Sequence, residues 1–340
     1  MDEWDGSQGS ERPAEVRPVV DLHTDSLIAS RFFGYDLGKR HVPPLGFQPW
    51  RLHADFPRLA EGGVNGVWLG IVTSPFPRSS CLGRALRNLE YARREVGRNP
   101  QQAELALDPE GMLRIMGEGK IAVMLGVEGL HAAGTDLSGL EKLYDAGARY
   151  AGFAHFTDNG FASTNFRRNR RAPLTELGRK AVRWMNSAGM IIDLAHTHPD
   201  CLSEACSLSR APVIISHTGV QAVRPATRNV SDDDIKRVAE TGGIIGIIYA
   251  TTWISRNPFC GLGAVVDHFD HVRELVGSRH LALGSDWDGF IMVPGPMGDA
   301  AGLPRLLSLM RRRGYTEEEL EGICGGNFLR VFREVVGASG

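Results

Sequence analysis

The chain has 340 residues, 42% of them hydrophobic and 23% charged, with a formal net charge of −2. That is enough chain to bury a large core, either as one α/β barrel or as two smaller domains. It carries no basic surplus for nucleic acid or an anionic membrane, and no run of about 18 apolar residues to span a bilayer, so neither partner is expected.

Residues 1–17 are polar and acidic, without the apolar run of a signal peptide, and are read as a tail before a single domain of residues 18–340. A cytoplasmic location is the resulting expectation. The five cysteines show no CxxC pair, and their odd number excludes a complete disulfide framework, so they are read as thiols of a reducing compartment.

Eight short apolar runs follow. They are VVDLH (19–23), GVNGVWLGIV (63–72), KIAVMLGVEG (120–129), RYAGFAH (149–155), GMIIDLAH (189–196), PVIISHT (212–218), GGIIGIIY (242–249) and HLALGSDW (280–287). They are nearly continuous rather than alternating, as strands covered on both faces should be. Helical patterns separate most of them: LSGLEKLYDAG (137–147), TELGRKAVRWMNSAG (175–189), SDDDIKRVAETGG (231–243), HFDHVRELVG (268–277) and TEEELEGICGGNFLRVFREVVG (316–337). Ser231 followed by three Asp has the look of an N-cap and first turn. This repeated alternation predicts a (β/α)8 TIM barrel rather than a doubly wound sheet.

Barrel active sites lie at the C-terminal ends of the strands. Here the first run ends in His23 with Asp25 just beyond, the third holds Glu128, and the fourth, fifth and sixth end in His155, His196 and His217. The eighth holds Asp286, while the second leads to Thr73 and Ser74 and the seventh ends in Tyr249. A lone histidine at a strand end is usually structural. Six ionisable ends on one rim have no packing rationale, and unpaired burial of so many would be costly. Metal coordination explains them. His23 and Asp25, spaced i and i+2, can reach one ion; Glu128 can bridge to a second; His196 and His217 can hold that second ion. Nitrogen and oxygen donors suit Zn2+ best, with Mn2+ or Co2+ as alternatives.

Two such ions can share a hydroxide that attacks an amide carbonyl, with Asp286 shuttling the proton to the leaving amine. The sequence has no HExxH, GxSxG or P-loop motif to suggest another chemistry. The run RRNRR, Arg167 to Arg171, is the sharpest charge cluster: a solvated loop, or a patch that draws an acidic substrate to a cleft.

The segments DLHTD (21–25), GVEG (126–129), DLAH (193–196), ISHTG (215–219), RNVSDD (228–233) and GSDWDG (284–289) together resemble the membrane dipeptidase family, also called renal dipeptidases. The stretch GYTEEELEGICGGNFLRVF (314–332) resembles that family's C-terminus, and the likeness runs in order over residues 18 to 336. The family is a branch of the amidohydrolase superfamily. The resemblance implies two zinc ions and a free dipeptide as substrate, with a D-residue tolerated on the C-terminal side. It also implies a homodimer. It assigns His23 and Asp25 to the first zinc, Glu128 to the bridge, and His196 and His217 to the second zinc. It gives His155 contact with the substrate or its tetrahedral intermediate, Arg228 the free carboxylate of the substrate, and Asp286 the acid/base role. Leu22 stands where the family often has Gly, and TDNGFASTN (157–165) keeps only part of the family's Asn-rich stretch. These departures touch the substrate side of the site. Two alternatives stay open: the same metal site acting on a lactone, cyclic amide or phosphoester, and a barrel that binds without catalysis.

Overall fold

The computed structural model describes residues 16–41, 52–73, 79–167 and 170–338. Nine strands are found among them: β1 (Val20–Thr24), β2 (Gly66–Ile71), β3 (Ala103–Leu105), β4 (Ile121–Val127), β5 (Ala148–Gly152), β6 (Ile191–Asp193), β7 (Ile214–Thr218), β8 (Ile244–Ile247) and β9 (Leu281–Leu283). All pairings are parallel. β1 pairs β2, β2 pairs β4, and each later strand pairs the next until β9 returns to β1. Eight strands therefore close into a barrel with helices between them, as the alternation of apolar runs predicts.

The remaining strand, β3, has no counterpart in the sequence reading. It lies along the first half of β4, with Ala103 opposite Ile121 and Leu105 opposite Val123, on the edge that β5 takes over from Leu125 onward. Three residues with a charged centre carry no periodicity to find.

The barrel strands are buried on both faces. Val20 and Leu22, Trp68, Met124, Tyr150, Ile191, Ile214, Ile244 and Ala282 belong to one apolar cluster. Only the barrel interior can bring residues of all eight strands together. Phe328 and Phe332, from the helix Asn327–Gly337, join that cluster against Trp68. The interior is thus a packed plug at the N-terminal ends of the strands, and any site must lie at the other end.

The helices follow local signals. Ser231 caps Asp232–Glu240 with a complete capping box through Asp234, and Gly189 ends Glu176–Ala188 in the left-handed region at φ 67°. Two differ from the sequence reading. The helix expected from residue 268 begins at Gly263, because Val265 and Val266 extend its buried face by a turn. The expected C-terminal helix 316–337 is broken by a π-helical turn, Gly322–Gly326. A Cβ at Gly325 would stand 2.4 Å from the Pro18 carbonyl, so the turn lets the chain pass that backbone closely. Arg17, placed in the tail by the sequence, pairs with Glu321 at 2.7 Å, and its carbonyl accepts from Asn65 Nδ2 at 3.0 Å. Residues 1–15 and Ser74 lie outside the described residues. No disulfide joins the five cysteines.

A buried histidine ties the loop after β7 to its neighbours. His268 Nδ1 accepts from the Val220 N–H at 2.9 Å, which leaves the proton on Nε2, 3.1 Å from the Ile254 carbonyl. Burial pushes the imidazole down to about 4. The unfolded chain binds a proton near 6.5 that the folded chain refuses, so this stabilisation is whole above that pH and is lost as pH falls toward 4. The loss amounts to about 3 kcal/mol. Urea midpoints measured across this window should fall for the wild type and fall less steeply for His268→Gln. Equal slopes would show that His268 does not titrate there.

Candidate active site

The chemistry-bearing residues come from the rim opposite the plug. His23 and His217 lie within β1 and β7, and Glu128 directly follows β4. His155, His196 and Asp286 each stand three positions beyond the last strand residue, Gly152, Asp193 and Leu283. They are rim residues rather than strand residues, and the backbone bends sharply to aim two of them. His196 has φ 60° and Asp286 φ 65°, the left-handed region that non-glycine residues avoid at a cost of roughly 1–3 kcal/mol each. Asp288 (φ 67°) and Phe290 (φ 55°) continue the pattern.

Barrel closure sets the first cluster. The Asp286 N–H donates to the His23 carbonyl at 3.0 Å, and the Asp25 N–H to the Trp287 carbonyl at 2.7 Å. His23 Nε2 then lies 3.5 Å from Asp25 Oδ1, 3.8 Å from Glu128 Oε1 and 4.0 Å from Asp286 Oδ1. Gly70 makes room, since a Cβ there would stand 2.8 Å from Asp25 Oδ1. The second cluster shares Glu128. His196 Nε2 is 3.1 Å and His217 Nε2 3.6 Å from Glu128 Oε1, and the two Nε2 atoms are 3.1 Å apart. His155 Nε2 lies 3.5 Å from Glu128 Oε2.

These donors fit divalent metal. Ligand atoms bonded at about 2.0–2.1 Å to one tetrahedral ion stand roughly 3.3 Å apart, and the spacings above bracket that value. His23 Nε2, Asp25 Oδ1 and Glu128 Oε2 are buried without a hydrogen-bond partner. His23, Asp25 and Glu128 form one group of converging donors, Glu128, His196 and His217 another, and His23, His217 and Asp286 a third.

The electrostatics of the bare protein point the same way. Burial pushes Glu128 well above the ordinary carboxylate range, helped by Asp25. Burial and Asp25 lift Asp286 to about 7. Burial alone would lower His23, but Glu128, Asp25 and Asp286 outweigh it and raise it to about 10. His155, His196 and His217 are pushed well down by burial, with nearby cationic groups adding to it. Carboxylates that resist ionising, three imidazoles that stay neutral and a fourth, His23, that holds a proton form a cluster short of positive charge, which cations supply.

A surrounding layer, not named by the sequence reading, orients the candidate ligands. Tyr150 OH lies 2.7 Å from His23 Nδ1. Its ring packs on Trp68 and on Gly126, where a Cβ would come within 2.0 Å of it. Ser216 Oγ donates to Asp193 Oδ2 at 2.6 Å and stands 2.9 Å from His217 Nδ1. An ionised Asp193 only accepts, so Ser216 must accept from the His217 Nδ1–H, which turns the Nε2 lone pair toward the cluster. Asp288 receives Ser26 Oγ at 2.6 Å and the His53 N–H at 2.6 Å, pinning the segments that flank Asp25 and Asp286. Asp193, Ser216 and Asp288 do lie inside the motifs DLAH, ISHTG and GSDWDG; Tyr150 had no local signal.

Above the cluster opens a cavity of about 460 Å3, whose walls include Asp25, Glu128, His155, His196, Arg228 and Asp286. His23 and His217 lie beneath it, 0% and 1% exposed, with rings stacked at 4.1 Å. All eight residues singled out from the sequence therefore converge. Arg228 is buried, and its Nη2 donates to the His217 carbonyl at 2.7 Å. Of the basic run, Arg170 and Arg171 stand outside the lining of this cavity. Arg170 pairs with Asp158, Arg171 is exposed, and Arg168 and Asn169 lie outside the described residues.

A sequence model of the membrane dipeptidase family, peptidase family M19, matches residues 11–339. The chain belongs to this family. Membership makes it a metallo-dipeptidase, a hydrolase of amidohydrolase type. It is similar to a metallo peptidase from Rhodobacter sphaeroides, solved with a phosphinate mimic of the dipeptide L-Ala-D-Ala. The two share 25% identity over 94% of this chain and 99% of that one, with a TM-score of 0.85. It is also similar to dipeptidase AC, a metallo peptidase of family M19, at 26% identity over 95% and 100% of the two chains, with a TM-score of 0.86. The probable dipeptidase PvdM from Pseudomonas aeruginosa shares the fold, at 23% identity over 86% and 91% of the chains and a TM-score of 0.79. Despite the family's name, no helix among the described residues is long and apolar enough to cross a membrane.

In this metallo-dipeptidase, Tyr150→Phe keeps the ring and removes only the contact to His23. Chelator competition should show metal affinity lowered about 10–100-fold, with the thermal midpoint of the metal-free protein little changed. Unaltered affinity would show that the hydroxyl does not orient His23.

Proposed function

We propose that the chain hydrolyses free dipeptides at a centre for two zinc ions, one held by His23, Asp25 and Glu128, the other by Glu128, His196 and His217. The observation that carries this reading is the position of Glu128. One carboxylate oxygen lies 3.8 Å from His23 Nε2 and 3.1 Å and 3.6 Å from His196 and His217 Nε2, so a single side chain serves both groups. The donor set suits Zn2+, then Mn2+ or Co2+. When bound, such ions supply the Lewis acidity that polarises the scissile carbonyl and makes water nucleophilic near neutral pH.

The chain's own groups do the rest. Arg228 faces the cavity and offers a planar fork to the substrate's terminal carboxylate. Asp286 takes the proton released by the attacking water and delivers it to the leaving amine. Its place beside Asp25, in a buried wall, raises its proton affinity enough for that exchange; neighbouring cations draw it back toward the carboxylate range. His155 is buried and neutral, so its one N–H is available to the developing oxyanion. A cavity of about 460 Å3 lies within the range of small-molecule sites and suits a dipeptide. The ligand of the Rhodobacter sphaeroides relative mimics L-Ala-D-Ala, which supports including dipeptides with a C-terminal D-residue among the proposed substrates.

Amine release from L,L and L,D dipeptides, with and without chelator, tests the reaction class. Chelator should abolish cleavage and zinc restore it. Protein verified to carry metal that cleaves no dipeptide would move the reading to lactones and phosphoesters. Two variants test the roles. Asp286→Asn should lower kcat by about a hundredfold or more with metal content unchanged. Arg228→Ala should lower kcat/KM about 10–100-fold, again with metal retained, and an unaltered kcat/KM would remove the carboxylate assignment.

A further inference from the structure

The cavity walls divide by loop. One half comes from the loops after β1, β2 and β9 and holds Asp25 and Asp286 with Ile28, Val72 and Ile291. The other comes from the segments after β4, β5, β6, β7 and β8 and begins with Glu128. Since the strands run β2-β1-β9-β8-β7-β6-β5-β4 around the barrel, each half is a contiguous arc.

The second arc is aromatic. Phe156 and Phe166 lie 5.4 Å apart between ring centroids, and Phe166 and Trp253 6.2 Å. Phe156 and Phe166 also flank His196, at 5.7 Å and 6.4 Å. Phe156 is 48% exposed, a large apolar ring left open at the mouth of a site. The backbone around Arg228 is tied into the same arc. Asn165 Nδ2 donates to the Arg228 carbonyl at 3.1 Å, and Asn229 Nδ2 to the Trp253 carbonyl at 2.7 Å. Among the described residues, the only acidic side chain of this arc is Glu128, at its β4 end and turned to the imidazoles of His155, His196 and His217.

We infer that the lobe between Phe156, Phe166 and Trp253 seats the side chain of the substrate's C-terminal residue and selects a large apolar one. This rests on the dipeptidase reading and on Arg228 holding the terminal carboxylate. A carboxylate gripped at Arg228 places the α-carbon of that residue beside the three rings. A cationic side chain there would face Arg228 with only Glu128, already turned to the imidazoles of His155, His196 and His217, as counter-charge, and an anionic one would be stripped of water between rings or compete for the guanidinium. An aromatic or branched aliphatic side chain gains the burial. Phe156, Phe166 and Trp253 are specificity-determining residues.

The test uses zinc-loaded protein and compares kcat/KM for Ala-Phe and Ala-Leu with Ala-Gly, Ala-Glu and Ala-Lys, and Ala-Phe with Phe-Ala. Ala-Phe and Ala-Leu should exceed the other three about 10–100-fold. Ala-Phe should exceed Phe-Ala. In Trp253→Ala the ratio of Ala-Phe to Ala-Gly should fall about tenfold. Phe156→Ala, at an exposed position, gives the same reading without disturbing the fold. Cleavage of all five Ala-X dipeptides at similar rates would overturn the inference and leave the dipeptidase reading standing. So would a preference that follows the N-terminal residue. Cleavage of none, with the C-terminal residue in either the L or the D configuration, by metal-loaded protein would overturn that reading and the inference with it.

Discussion

Glu128 is a carboxylate buried at the top of a barrel whose lower half is filled with hydrocarbon, and it faces four imidazoles and the carboxylates of Asp25 and Asp286. Unpaired ionised groups in such surroundings are costly, and the usual escape is to change protonation. The directions seen here, carboxylates raised and three imidazoles lowered, are that escape in progress. Divalent cations remove the need for it. The metal centre is thus the condition under which this arrangement of side chains is tolerable, and the surrounding structure serves to hold it.

That service is visible in what is absent as much as in what is present. Gly70 and Gly126 have no side chain because Asp25 and the Tyr150 ring occupy the space. Gly289 lacks one because a Cβ would stand 2.6 Å from Asp286 Oδ1. The strained φ of His196 and Asp286 persists because hydrogen bonds on both sides over-determine it. Asn165 donates to the His196 carbonyl at 2.8 Å, and Asp286 to His23 at 3.0 Å. Tyr150 belongs at once to the apolar plug and to the metal site, so packing below the site is transmitted to the imidazole of His23.

Much of this was legible in the sequence. The barrel strands are continuous apolar runs because both faces are covered, and their ends carry ligand-type residues in the right order. The parts that were not legible share a physical cause. β3 is too short for a period, and the π-helical turn at Gly322–Gly326 depends on the approach of Pro18, far away in sequence. Tyr150 looks like any core aromatic until the barrel closes and sets its hydroxyl under His23. Phe156 and Phe166 come from the loop after β5 and Trp253 from the segment after β8, with no common motif, and only the fold brings them together.

β1 is hydrogen-bonded on one side to β2 and on the other to β9, 262 residues later by the pairing of Asp21 with Leu283. Contacts of such sequence separation are slow to form, and they form after local ones. A nascent chain emerging from the ribosome can assemble helices and neighbouring strands, but the final geometry of His23, Asp25 and Asp286 waits for the ninth strand. The protein is therefore without its assembled centre throughout most of its own synthesis, and metal capture in the finished geometry is a post-translational event.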